Sequence, residues 1–390
     1  MSRTIFVLSV LSIPLTSVRA EISMNDVTLL LPIPKTLIDL KTNYFNPSTT
    51  LMTGSLVSST QIKLFDWNGV KADVDMRVRT NFERLAALGI RLDPCFKDQF
   101  TDHCRPQVRL VLQPITFGGA QLDTADTGIH LFFDTTEAQI TELVQFAAQY
   151  REQFLGKGSY KAILQVHPVV QQEGINGKFW QAMRLKIQNV LNQAKPSRIA
   201  FLSVDPQGRR WTFRSFDLNA GVATPVQIHG INNVTQRIDN QTGSDLLEFI
   251  SNESGLPRSS PATDQTFDFL RDSSDFRRSG NSRLSPLVNS MERIENPNTH
   301  LPGTIDCLSC HSTPSIKRNL RVKSNALQLT AETFMSKTFS RAHLFNLTEN
   351  SFEGRDFRLF GYREGHPIIG QRVINESAAV ADHFNSLPQL

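Results

Sequence analysis

The sequence predicts an α+β or α/β fold over roughly residues 21–250, a connecting segment over 251–303, and a mostly helical or irregular region over 304–390. Three observations carry this reading. Short segments have apolar residues at every second position, two longer ones have them at every third or fourth, and the composition changes near residue 251.

Within 26–32, Val27, Thr28, Leu29, Leu30 and Leu31 stand before Pro32. This predicts a strand closed by a residue that has no amide hydrogen for the ladder. Segments 62–67 and 70–78 flank Asn68-Gly69, a pair suited to the positive φ angles of a type I′ turn. Val74, Met76 and Val78 alternate there with charged residues, so a β-hairpin is expected. Alternation returns at 105–112, and 128–133 reads as a buried strand. Residues 137–155 bring Ile140, Leu143, Val144, Ala147, Ala148, Phe154 and Leu155 to one helical face, with Gly156 as the stop. Residues 178–195 do the same with Trp180, Met183, Ile187, Val190 and Leu191, and Pro196 follows. Further strands are expected at 160–170, 199–204 and 210–218, and a short helix at 378–384. Between 251 and 303, Ser, Asn, Pro, Arg and Asp dominate, as in a linker.

A chain of 390 residues with 39% hydrophobic and 20% charged residues suits two folded domains and excludes wholesale disorder. The formal net charge of +4 is close to balance and makes no case for nucleic acid as a partner. Residues 1–20 read as an export signal. Arg3 precedes an apolar run over 5–18, and Val18 and Ala20 occupy the −3 and −1 positions of a cut before Glu21. Pro14 and the shortness of the run argue against a spanning helix, which needs about 20 apolar residues. Cleavage would remove Arg3 and Arg19 and no acid, leaving a net charge of +2. The expectation is a periplasmic or secreted protein with no integral membrane segment.

The four cysteines form two close pairs. Cys95 and Cys104 lie between Pro94 and Pro106, and a disulfide is expected there, worth roughly 2–3 kcal/mol. The second pair has a different grammar. Cys307-Leu308-Ser309-Cys310-His311 has the C-x-x-C-H spacing of covalent haem attachment. Two thiols add across the two vinyl groups of haem, so the sulfurs must share a face at a fixed separation. The next histidine then supplies an imidazole to the iron. In bacteria this attachment takes place outside the cytoplasmic membrane, which the export signal would satisfy independently. Other chemistries fit less well. A Cys307–Cys310 disulfide would need no cofactor. Zinc would lack a fourth ligand. A thioredoxin-like pair would begin a helix after a strand, whereas Pro302-Gly303 precedes this one.

The region therefore resembles the haem-attachment site of c-type cytochromes. The resemblance implies one haem c, thioether bonds at Cys307 and Cys310, and His311 as the proximal iron ligand. It is specific at five residues. The family normally has a helix shortly before the motif and a methionine well after it. Residues 296–303 are not helical in pattern, and Met335, within an expected helix over 331–339, is the only later methionine. Met335 or His343 are the leading distal ligands, the methionine implying the higher reduction potential. His300, His366, His383 and an open iron are the alternatives. Lys317, Arg318, Arg321 and Lys323 would meet haem propionates or an acidic redox partner, or else form a solvated face. The whole chain, through segments such as 27–32 and 375–378, also resembles a group of exported bacterial proteins that end in this motif.

The expected function is electron transfer or haem-based sensing by a monohaem protein with an unknown redox partner. The alternative is a haem-free secreted module with a surface ligand, held by two disulfides. No hydrolase, metalloprotease or nucleotide fingerprint is present. Di-haem peroxidases carry two C-x-x-C-H motifs against the one here, so an enzyme is not the expectation. His103 and His167 read as structural. The sequons at Asn233, Asn240, Asn252, Asn346 and Asn375 would matter only in a eukaryotic secreted chain.

Overall fold

A computed structural model describes residues 20–46, 84–98, 101–118, 121–124, 127–204, 210–219, 222–229, 233–240, 249–250, 281–301, 303–323, 329–339, 357–363 and 365–387. The export signal apart from residue 20, the hairpin expected over 62–78, His343 and much of the 251–303 segment lie outside them.

The first described element is helix α1 (Met24–Val27), which hands over directly to strand β1 (Thr28–Leu30). The first two residues of the strand expected over 26–32 are thus helical. Ser23 accepts from the Asn25 amide and Asp26 reaches back to the Ser23 amide, and this reciprocal cap selects the turn. Helix α2 (Leu37–Asn43) follows, then β2 (Leu85–Asp98), β3 (Thr101–Gly118), β4 (Gln121–Thr124) and β5 (Gly128–Asp134). Helix α3 (Glu137–Leu155) is capped by Thr136 and stopped by Gly156 at φ 88°, a conformation that glycine takes without penalty.

Residues 160–170 do not form the expected strand. A 3-10 turn (Ser159–Lys161) and helix α4 (Pro168–Glu173) occupy the segment, and Val166 makes only an isolated bridge to Leu30. Pro168 has the fixed φ of a first helical position and no amide for a ladder, so the helix wins. Helix α5 (Lys178–Gln193) buries Phe179, Trp180, Met183, Ile187, Val190 and Leu191. Strands β6 (Lys195–Val204), β7 (Arg210–Asn219), β8 (Val222–Pro225), β9 (Thr235–Asn240) and β10 (Phe249–Ile250) complete the main sheet.

That sheet has ten strands in the order β1-β2-β3-β5-β6-β7-β9-β10, with β4 on β3 and β8 on β7. Its pairings are antiparallel, which decides for α+β over α/β. Alternation gives the sheet two faces. On one, Ile129, Leu131 and Phe133 join the buried stripes of α3 and α5 in the larger core. On the other lie His130 and Phe132, beneath the last part of the chain.

Helix α6 (Asn281–Glu295) runs through what the composition reads as linker. Leu287, Met291 and Ile294 are buried from it. Helix α7 (Cys307–Lys323) begins at the first cysteine of the motif. Leu287, Met291, Leu308, Ile316 and Phe357 pack with Leu202, Val204, Trp211 and Phe213 of β6 and β7 in a second, smaller core. Residues 331–339 are turns rather than the expected helix. Ser336 caps the amides of Thr338 and Phe339, and Asp382 takes those of Lys337 and Thr338, so side chains replace helical carbonyls.

A hairpin of β11 (Phe360–Arg363) and β12 (His366–Ile369) leads to helix α8 (Gln371–Ser386), longer than the helix expected over 378–384. Val373, Ile374, Ala378, Ala381 and Phe384 belong to the same core as Ile22 and Leu29. Ile22 and Asn385 exchange two hydrogen bonds, of 2.8 and 3.0 Å. The tail therefore completes the core of the first region. Beside it, Arg151 of α3 reaches Asp26 at 3.0 and 3.1 Å, with both side chains almost fully buried. Among the described residues, no helix is long and apolar enough to cross a membrane.

Candidate functional site

The C-x-x-C-H pentapeptide forms the first turn of α7. Asp306 acts as its cap, accepting from the Ser309 amide at 2.9 Å. Gln236 on β9 ties this turn to the sheet. Its amide nitrogen donates to Asp306 at 2.8 Å, and its amide oxygen accepts from the Leu308 backbone at 2.8 Å. Cys307 and Cys310, three residues apart on one turn, share a helical face and are not bonded to each other. Burial pushes the Cys307 thiol well above its usual range, with Asp306 and Cys310 adding to it. Burial likewise pushes Cys310 up to about 12, Arg372 opposing. A helix N-terminus ordinarily favours thiolates. Here desolvation wins, and both groups are thiols at neutral pH.

His311 is held by its backbone-side nitrogen. Its Nδ1 donates to the Phe357 carbonyl at 2.6 Å, which leaves Nε2 with the free lone pair. Its ring lies 5.0 Å from that of Phe213. Burial lowers its pKa to about 4, Arg358 adding to the effect and the Phe357 bond opposing it, so the imidazole is neutral at pH 7.

All three motif side chains line one cavity between α7, α8 and the sheet, about 1210 Å³ including its open mouth. Strand register orders its floor. One rank runs Arg91, Arg109, Phe132, Arg198 across β2, β3, β5 and β6. The next runs Gly89, Val111, His130, Ala200, Ser215. A third places Gly128 beside Leu202 and Phe213. The floor therefore grades from cationic to apolar within three ranks.

Gly89 has a steric role. A Cβ there would stand 2.3 Å from Phe360 Cε1, so only glycine lets β11 close over this edge. The β11 strand is held by Gln113, whose amide both accepts from the Tyr362 backbone (2.7 Å) and donates to it (2.9 Å).

Six arginines line the cavity against two acids, Asp306 and Glu376. Glu376 receives Arg91 and Arg372, each at 2.6 Å. Burial works against its charged form, but Arg91, Arg372 and Arg109 outweigh it and hold the carboxyl well below its ordinary range. Arg109 stacks over Phe132 at 4.5 Å, and burial, with Arg91 beside it, lowers its pKa to about 10. It remains a cation. With Asp217 on Arg198 at 2.6 Å, the lining still carries excess positive charge.

No family model, curated protein or solved structure matches the chain. The site must be read from its own chemistry.

The other residues singled out in the sequence fall as follows. Cys95 and Cys104 are disulfide-bonded across β2 and β3, and Cys95 borders a neighbouring cavity that also holds His383. Met335 is half exposed and is not part of the motif's cavity. His300 contacts Thr304 through Nδ1 at 3.2 Å, and His366 is exposed on β12. Lys317 is buried between Glu292 and Glu295, at 2.7 and 2.5 Å, away from the cavity. His167 stacks on Phe179 at 4.5 Å inside the larger core, as a structural histidine would. Among the described residues, no three His, Cys, Asp or Glu gather as a metal-ion site. A haem iron needs no such cluster, because four of its ligands are pyrrole nitrogens.

The arginine rank, His130 and Gln236 were missed in the sequence. One signal was present: within 128–133, Ile129, Leu131 and Phe133 occupy one parity and His130 the other.

Proposed function

We propose that the chain is an extracytoplasmic monohaem c-type protein whose role is electron transfer or haem-based sensing. One observation carries this reading: two thiols and an imidazole with a free Nε2 open together onto one cavity whose floor ends in arginines.

The residues fit the group. Cys307 and Cys310 would each add S–H across one vinyl double bond, so two thioethers form and nothing leaves. His311 would give Nε2 to the iron while Phe357 fixes its tautomer. Arg91, Arg109 and Arg198 supply the cationic edge that two propionates require. Haem supplies one-electron chemistry and a site for small ligands; the protein sets axial ligation, burial and hydrogen bonding. The Cys95–Cys104 disulfide supports an oxidising compartment.

The test is co-expression with a cytochrome c maturation system. The expected product is red, stains for haem on a denaturing gel, and gains the mass of one haem. Cys307→Ser with Cys310→Ser abolishes the stain. A colourless wild-type protein with the mass of the polypeptide alone, or with a Cys307–Cys310 disulfide, overturns the reading.

A further inference from the structure

We propose that His130, on the central strand β5, is the second axial ligand of the iron bound by His311. The proposal rests on the haem reading above and assigns the coordination position that the motif leaves open.

The argument is one of placement. His130 and His311 line the same cavity, one from the sheet and one from the first turn of α7. The His311 ring lies over Phe213, and Phe213 is in register with Leu202 and then Gly128. His130 is the next residue of β5 on that face. Two strands and two residues thus separate the Cα atoms of His130 and Phe213, roughly 12 Å. Floor and roof imidazoles face a shared space.

His130 is also chemically uncommitted. Among the described residues its ring nitrogens have no hydrogen-bond partner, and its ring neighbour is Phe132 at 6.5 Å. The ring is only partly buried and borders the cavity, so its nitrogens are open to an incoming ligand. The described alternatives lie elsewhere: Met335 is half exposed outside the cavity, His300 contacts Thr304, and His383 borders the neighbouring cavity. A strand in the middle of a ten-stranded sheet also holds its side chain more rigidly than a loop would. Two neutral imidazoles would give a six-coordinate iron at a lower potential than His/Met ligation.

The experiment compares wild type, His130→Ala, His130→Gln, His130→Met and Met335→Ala, each carrying covalent haem by stain and mass. Wild type is expected to be low-spin in both oxidation states by electronic absorption and electron paramagnetic resonance. His130→Ala and His130→Gln keep the covalent haem but lose the low-spin signature and bind carbon monoxide, and added imidazole restores the low-spin spectrum. His130→Met raises the reduction potential. Met335→Ala leaves the spectrum unchanged. A high-spin wild type, or a His130→Gln protein with the wild-type low-spin spectrum, overturns the assignment while leaving haem attachment standing. Absence of covalent haem from the wild type itself overturns the functional reading, and this assignment with it.

Discussion

The two faces of the central sheet come from the same strands and do opposite work. On β5, Ile129, Leu131 and Phe133 enter a closed apolar core with α3 and α5, while His130 and Phe132 face a cavity edged by cations. The helix-covered face removes apolar surface from water and supplies stability. The cavity-side face leaves space unfilled and groups charges whose burial is costly without partners. Alternation with a period of two lets adjacent residues serve these separate ends, so damage to one face need not damage the other.

The largest expected effect breaks the helix face alone. Met183→Ala on α5 removes a fully buried side chain and should cost about 2–5 kcal/mol in urea unfolding. The haem spectrum of the folded fraction should not change. A spectral shift in this variant would show that the faces are coupled.

Glu376→Gln attacks the cavity side. It takes the charged partner from Arg91 and Arg372 and should cost about 1.5–3 kcal/mol at pH 7. The pH dependence sharpens the point. The folded carboxyl titrates below its unfolded value of about 4.3, so its contribution is present above that pH and is lost as pH falls further. Acid titration followed by circular dichroism should show this loss in wild type and a flatter profile in Glu376→Gln.

Gln236→Ala should cost about 1–3 kcal/mol, since it leaves the Leu308 amide and the Asp306 carboxylate short of a partner. Its larger effect should be on pigment. With the first turn of α7 untied from β9, haem content per polypeptide falls further than stability alone accounts for.

Much of this molecule was legible in the sequence because its signals are local. The stripes of 137–155 and 178–195 repeat every three or four residues and match α3 and α5 nearly residue for residue. The C-x-x-C-H pentapeptide is contiguous, so the common face of its sulfurs could be anticipated, although the helix that begins there was not. Where the sequence misled, two local signals competed. In 281–295, Ser, Asn and Arg dominate the composition, yet Leu287, Met291 and Ile294 keep helical spacing and the packing obeys them. In 160–170 the apolar residues suggested a strand, but Pro168 starts a helix. The floor of the site was hidden for another reason. His130, Gln236 and His311 meet only through strand register and the return of the tail, and no local periodicity encodes such long-range closure.

The smallest expected effect is a control. Lys186 on α5 pairs with Glu142 on α3 at 2.7 Å, with both partners considerably exposed. Lys186→Ala should change stability by no more than about 0.5 kcal/mol, with no change in colour.

The clasp between Ile22 and Asn385 spans 363 positions. Its first half is synthesised 363 positions before its second, so no fragment lacking α8 possesses a finished interior. A contact of such long sequence separation closes late, because its loop entropy is paid before the contact rewards it. Until α8 arrives, the stretch around Cys307 has no lid of its own making, and truncation before residue 371 would leave the earliest folded residues with an open seam.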